Sequence, residues 1–280
     1  MAYEFPDPVF ATSLNHYRQC PFRFRCHNDK EVKAEFKPSP KQFVGEAMHA
    51  ALRIFFDINE LPVHERRLDV VGDLLRKAWA RVTKDFGTPY TAEERTVLFG
   101  SVEQERAQGL KAIDTLKSYL QTADLSVVPI ALEDWQYAVV DGVRLGGKID
   151  RVDKESADRI AVWDYKTGKL PYYKETERIV EEDLQLPVYG VIAGELYPWA
   201  DSVRVGLIYV SYSQVYDVVW SRRDLAARRE RILEVVERIR AETEFSPVIN
   251  PLCRWCEYLV ICPRREEIEM SSARVDEVAW

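Results

Sequence analysis

The stretch Val139 to Gly168, VVDGVRLGGKIDRVDKESADRIAVWDYKTG, restricts the fold of this chain more than any other. β-Formers flank Asp141-Gly142, a dipeptide that tolerates positive φ at both positions and so specifies a tight hairpin. The polar cluster Lys154 to Asp158 marks a second turn, and two successive hairpins make a three-strand meander. Side chains alternate along a strand, so Lys148 and Asp150 share one face of the second strand, and Asp164 and Lys166 share one face of the third. If the second turn centres near Ala157, Asp150 is the cross-strand partner of Asp164. Opposed like charges repel, and a fold keeps such a pair when a metal or a shared proton relieves it. The plain alternative is a polar sheet face with two solvated aspartates and a lysine.

A chain of 280 residues with 46% hydrophobic content can bury a full core as one domain, residues 1–280, or as two smaller ones. No apolar run approaches a membrane span, and the N-terminus lacks a basic stretch leading into an apolar one, so a cytoplasmic protein is expected. The net charge of −7 argues against a wholly basic nucleic-acid coat but permits a local basic groove beside an acidic centre. No G-x-x-x-x-G-K-[ST] loop is present, which excludes a P-loop motor, and there are no internal repeats.

Along the chain, Thr12 or Ser13 is placed to cap a short helix ending near Cys20, because Pro21 follows. A helix near Lys41 to Phe56 carries Val44, Met48, Ala51, Leu52 and Phe55 as its apolar stripe, with Gly45 and His49 one turn apart beside it. The segment Leu61 to Thr122 reads as helical. It holds one amphipathic helix around Val71 to Val82, then a capping box, Thr91 to Glu94, opening a longer helix that runs to Leu120. This segment carries no chemistry and is expected to shape or lid a cleft.

The meander begins near Val127 and includes Glu133. After it, Glu181 to Leu196 reads as a helix in which Pro187 either introduces a kink or marks the first turn of a start nearer Leu184. Gln185 and Tyr189 project from one face of it. Two further strands, Val203 to Val210 and Val215 to Trp220, precede a capped, charge-rich helix running to about Glu244. Its arginines, Arg222, Arg223, Arg228, Arg229 and Arg231, suit phosphate contacts or a solvated face laced with glutamate equally well.

Five cysteines suggest metal ligation before disulfides in a reducing compartment. Cys253, Cys256 and Cys262 form C-x2-C-x5-C in a loop region from Pro247 to Pro263, one ligand short of a tetrahedral site or a cluster. Cys20, followed by proline as Cys262 is, supplies the fourth, and Cys26 reads as a buried free thiol. Residues after Arg264 read as a charged tail.

Taken in order, Cys20-Pro21, the G-x-x-x-H from Gly45 to His49, Glu133, GGKIDRVD with Asp150, VWDYKTG with Asp164 and Lys166, the Q-x-x-x-Y from Gln185 to Tyr189, and Cys253, Cys256 and Cys262 resemble the RecB-like branch of the PD-(D/E)XK nucleases. Its iron-sulfur subgroup includes the AddB nuclease domain and the CRISPR adaptation nucleases. The likeness spans about Ser13 to Pro263, with only Leu61 to Thr122 outside it.

The resemblance implies an α/β, restriction-endonuclease-like core. A central mixed β-sheet would be flanked by helices, with residues 61–122 as a helical insertion and a cysteine-ligated cluster joining the N- and C-terminal regions. It further implies Mg²⁺ or Mn²⁺ on Asp150 and Asp164, with His49 and the Tyr165 carbonyl, and either a second-metal or an outer role for Glu133. Lys166 would orient or deprotonate the attacking water, and Gln185 and Tyr189 would position the lysine or the DNA backbone. Cys20, Cys253, Cys256 and Cys262 would hold a structural [4Fe-4S] cluster, with Zn²⁺ as the alternative. The implied substrate is DNA, in single strands or frayed ends. Implied partners are a helicase or a CRISPR adaptation protein, and the exonuclease reading has as its rivals a CRISPR adaptation nuclease and a non-catalytic pseudonuclease.

Overall fold

The computed structural model describes residues 5–29, 32, 39–84, 87–172 and 175–270. The predicted meander forms: β2 (Ala131–Val140) turns through Asp141 and Gly142, at φ 48° and 76°, into β3 (Val143–Lys154), and β4 (Arg159–Lys166) follows after residues 155–158. Positive φ at both loop positions matches the turn to the right-handed twist of the strands it joins.

Around the meander stand a two-residue β1 (Val9–Phe10), α1 (Ala11–Gln19), α2 (Pro21–Asn28), α3 (Pro40–Phe56), α4 (Val71–Trp79), α5 (Ala92–Phe99) and α6 (Val102–Leu120) on its N-terminal side. On its C-terminal side lie α7 (Thr176–Glu181), α8 (Gln185–Leu196), β5 (Ser202–Tyr209), β6 (Gln214–Ser221) and α9 (Arg222–Ala241). The strands make one mixed six-stranded sheet in the order β1-β3-β4-β5-β6, with β2 on β3. β1 with β3 and β4 with β5 are parallel; the other pairs are antiparallel.

Both faces of this sheet are covered. On one, Val143, Leu145, Ile149, Ile160, Val162, Val203 and Val205 are buried with α1, α8 and α9. On the other, Tyr165, Ile208 and Val210 join the apolar sides of α3, α4 and α6. The helical segment from residue 61 onward therefore supplies the second core of the fold. Arg66 ties it down: the buried guanidinium donates to the carbonyls of Phe56, Leu61, Leu125 and Val127, which uses four of its five N–H donors on backbone carbonyls.

Several local expectations change. α1 starts straight from β1 with Phe10 at its cap position and no side-chain cap bond, so neither Thr12 nor Ser13 caps it. Pro21 ends α1 as expected but also opens α2, because proline is favoured in a first turn. The Thr91–Glu94 capping box is present, yet α5 stops at Gly100, whose φ is 85°, and Ser101 caps a separate α6. The apolar periodicity ran through this break because both helices pack on the same core. Pro187 lies in the first turn of α8, so it does not kink the helix. Residues 265–270 are helical, and the rest of the charged tail, 271–280, lies outside the described residues. Among the described residues no helix is long and apolar enough to cross a membrane.

Candidate functional site

β3 is longer than its neighbours on one edge. β2 runs along one side of it, whereas β1 pairs only at Leu145–Gly146 and β4 only from Arg151 to Lys154. The intervening stretch, Gly147 to Asp150, opens between the two, and the candidate site residues gather there.

The β3–β4 ladder has the register the sequence implies, with Arg151 opposite Trp163 and Val152 opposite Val162. It stops one residue short of the Asp150–Asp164 row. The strands splay there, and Asp150 Oδ2 accepts the freed backbone N–H of Tyr165 at 2.7 Å. The β2–β3 ladder also skips this row: Leu132 pairs with Arg151 and Asp134 with Ile149, leaving Glu133 beside Asp150 with φ 46°. A positive φ at a non-glycine residue is uncommon and costly, and it breaks the pairing next to three acids.

His49 reaches the same point from α3, its Nδ1 3.2 Å from Asp150 Oδ1. Ligand atoms from His49, Glu133 and Asp150 all lie within 4.8 Å of one another. That donor set, one imidazole and two carboxylates, suits a divalent cation. Asp164 is 4% exposed and adds a further acid; its Oδ2 is 2.6 Å from Lys166 Nζ in an ion pair. A buried carboxylate oxygen with a spare lone pair is also what a cation would use.

The electrostatics follow from this crowding. Burial pushes the Asp164 carboxyl up to about 6; Lys166 opposes the shift and the charge of Asp150 adds to it. Burial alone would depress His49, but the bond and charge of Asp150, helped by Asp164 and Glu133, raise it. Burial would likewise lower Lys166, and Asp164 more than reverses that, so the lysine is held as an ammonium.

Helix α8 completes the arrangement. Lys166 Nζ donates to Gln185 Oε1 at 2.6 Å, Gln185 Nε2 donates to the Tyr189 hydroxyl at 3.2 Å, and that hydroxyl donates to the Lys148 carbonyl at 2.9 Å. Burial keeps the Tyr189 phenol far above its usual range, so it acts as a neutral donor. Gly147 makes room: a Cβ there would sit 2.5 Å from the Tyr189 ring. The described site thus gathers His49, Glu133, Asp150, Asp164, Lys166, Gln185 and Tyr189. The Tyr165 side chain packs edge-to-face with the His49 ring and extends to the second core, where Arg151 donates to its hydroxyl at 3.1 Å.

Sequence reasoning left three participants unassigned. Lys148 pairs with Glu133 at 3.2 Å. Gly147 admits Tyr189, and the Gly146-Gly147 pair ahead of Lys148 was the available signal. Trp135, an aromatic at an outward position of an edge strand, lines a groove of about 580 Å³ that runs from Lys148, Gln185 and Tyr189 towards His16 and Arg23. Four of the five α9 arginines named above are engaged within the protein: Arg228 and Arg231 bind Glu181, Arg229 binds Asp141, and Arg222 donates to the Gly194 and Tyr197 carbonyls, while Arg223 is exposed.

Cys20, Cys253, Cys256 and Cys262 all line one cavity of about 210 Å³ at the α1–α2 corner. Val248 N–H donates to Cys20 Sγ at 3.4 Å and Asn250 N–H to Cys253 Sγ at 3.3 Å. Cys26 is buried and free, its thiol pushed up to about 11 by burial.

The fold is similar to a crystal structure of a candidate exonuclease from Eubacterium rectale, at 10% identity over 90% of this chain and 88% of that one, with a TM-score of 0.47. It is also similar to the crystal structure of SSO0001, at 13% identity over 94% and 89% of the two chains, with a TM-score of 0.37. Both likenesses are too distant to carry a functional argument. No curated protein matches the sequence. Residues 10–263 match the model of one family, a span that takes in every site residue described above, and by that match the chain belongs to the PD-(D/E)XK nuclease superfamily.

Proposed function

We propose that this chain is a Mg²⁺- or Mn²⁺-dependent deoxyribonuclease of the RecB-like branch, acting as an exonuclease on single-stranded or frayed DNA ends in repair or recombination. The observation that carries the reading is the convergence of His49, Glu133 and Asp150 within 4.8 Å, next to Asp164 and Lys166. These donors, together with Asp164 and the Tyr165 carbonyl, would hold a divalent cation, which would supply Lewis-acid polarisation of the phosphodiester and acidify water. Lys166 does the remaining work at the reacting group. Held between Asp164 and Gln185, its ammonium orients the attacking water and offsets charge growing on the phosphoryl oxygens. Gln185 is fixed through its amide nitrogen by Tyr189, and Tyr189 is anchored on the Lys148 carbonyl, so the lysine's position is set from two sides.

A non-catalytic pseudonuclease is the rival reading. The retention of His49, Asp150, Asp164 and Lys166 in one constellation favours catalysis, since a degenerate site has no reason to keep all four. A CRISPR adaptation nuclease shares the same chemistry, and its partner would differ: an adaptation protein in place of a helicase.

For the cysteines we favour a [4Fe-4S] cluster over zinc. Tetrahedral Zn–S bonds of about 2.3 Å need sulfurs about 3.8 Å apart. The group of ligand atoms within 4.8 Å among the described residues includes no cysteine, whereas a cluster bridged by sulfides takes more widely spaced thiolates. The N–H donors to Cys20 and Cys253 sulfur suit a thiolate ligand.

The test is digestion of end-labelled single and double strands by purified protein with Mg²⁺, Mn²⁺ or EDTA. Metal-dependent shortening from an end, faster on single strands, is expected. No cleavage with either metal overturns the enzymatic reading.

A further inference from the structure

We propose that Trp135 is the platform on which an unpaired nucleobase stacks beside the scissile phosphate, which makes it a residue that selects single strands. The inference rests on the nuclease reading above and deepens it.

Trp135 is 57% exposed, although a large apolar ring on a strand next to a core would ordinarily be covered. It is two residues beyond Glu133 on β2 and directly opposite Lys148 in the ladder, so it stands one step from the carboxylate and histidine group. Phe10 meets it edge-on, with ring centroids 5.4 Å apart at 65°. That contact holds the indole orientation, and more than half of the residue's surface stays open to solvent.

The groove that Trp135 lines is about 580 Å³, a size that takes a nucleotide unit. Gly146 and Gly147 line it beneath the rings of Phe10 and Tyr189, and Lys148 and Arg23, paired with Glu133 and Glu257, supply positive charge along it. Asp183 also lines it, but this carboxylate accepts the Gln185 N–H at 2.7 Å.

An exposed aromatic ring and cations along one groove are the parts of a single-strand channel. Duplex bases cannot use the platform, because their faces are already stacked on each other. An unpaired base can, and its own phosphate would then fall towards the acids one step away. Stacking on an aromatic is sequence-tolerant, since every base has a π-face, so the platform selects strandedness and not sequence.

The experiment measures binding of a labelled single-stranded oligonucleotide in EDTA by fluorescence anisotropy, for wild type, Trp135→Ala and Trp135→Phe. A parallel set of strands carries one abasic site at successive positions. Trp135→Ala should weaken binding about tenfold, Trp135→Phe should recover most of it, and KM for a single strand should rise in step with the binding loss. One abasic position should weaken wild type by a similar factor and leave Trp135→Ala unaffected, because base and ring are then two halves of one contact. Binding by Trp135→Ala within about twofold of wild type, or equal abasic effects in both proteins, overturns the platform while leaving the nuclease reading intact. A wild type that neither binds nor cleaves DNA overturns the nuclease reading and the platform with it.

Discussion

Asp150 Oδ2 accepts the backbone N–H of Tyr165 at 2.7 Å, and this bond holds open the point where β3 and β4 separate. The ladder has ended at Arg151 and Trp163, so the Tyr165 donor would otherwise be a buried orphan. One carboxylate oxygen thus serves the fold and the other, 3.2 Å from His49, remains with the candidate metal group. Asp150→Ala should therefore lower stability as well as activity, whereas Asp164→Asn, which keeps the shape of a side chain with no such backbone bond, should lower activity with little change in the unfolding midpoint. Urea unfolding of both variants beside a cleavage assay separates the two.

Gly147→Ala tests the packing that fixes helix α8. The added methyl would meet the Tyr189 ring at 2.5 Å, and the ring can retreat only by giving up the Lys148 carbonyl. A cost of about 1–3 kcal/mol is expected in denaturant unfolding, together with a fall in cleavage rate. Unchanged stability would mean that α8 is free to shift.

On the opposite face of the sheet, Arg151 Nη2 and Asp153 Oδ2 form a buried pair at 2.8 Å beneath Phe56, with the Trp163 indole N–H also donating to Asp153. Asp153→Ala leaves the guanidinium without its carboxylate, although Arg151 keeps its bond to Tyr165. A destabilisation of about 3–5 kcal/mol is predicted by urea unfolding.

Acid stability should carry the signature of His16. Burial, reinforced by the charges of Arg23 and His27 and opposed by Glu257, lowers this imidazole from 6.5 to about 4, and its Nδ1 has no hydrogen-bond partner. Above 6.5 the ring is neutral folded and unfolded, and costs nothing. As pH falls from 6.5 towards 4 the unfolded chain takes up a proton that the folded one refuses, so stability falls through that window. His16→Gln should flatten that limb relative to wild type when urea midpoints are compared across it, and parallel curves would contradict the assignment.

If Cys20, Cys253, Cys256 and Cys262 hold the proposed cluster, replacing one of them should loosen the join between α1 and the C-terminal loop. Anaerobic wild type should show a brown chromophore near roughly 400 nm that Cys262→Ser lacks, with a lower melting temperature for the variant. Colourless wild type with stoichiometric zinc would contradict the cluster.

Much of this was legible in the sequence, for identifiable reasons. Asp141-Gly142 specified a hairpin because few dipeptides accept positive φ twice. Counting from the second turn gave the register of β3 and β4, and with it the proximity of Asp150 and Asp164. Capping boxes at Thr91 and Ser221 marked helix starts because both partners lie within four residues. The end of the ladder before the acid row was not legible, since it depends on β1 and β4 sharing an edge of β3. Nor was the groove, whose walls come from α1, α2, β2, β3 and α8, or the exposure of Trp135, which depends on β2 having no strand beyond it.

The most direct measurement is the cleavage rate of an end-labelled single strand with Mn²⁺ by wild type and by Lys166→Ala, each checked for native unfolding. Lys166 touches Asp164 and Gln185 and anchors no backbone, so its loss should remove chemistry and spare the fold. A folded Lys166→Ala slower by about 100-fold or more is predicted. Equal rates in the two proteins would contradict the placement of the reaction at this site.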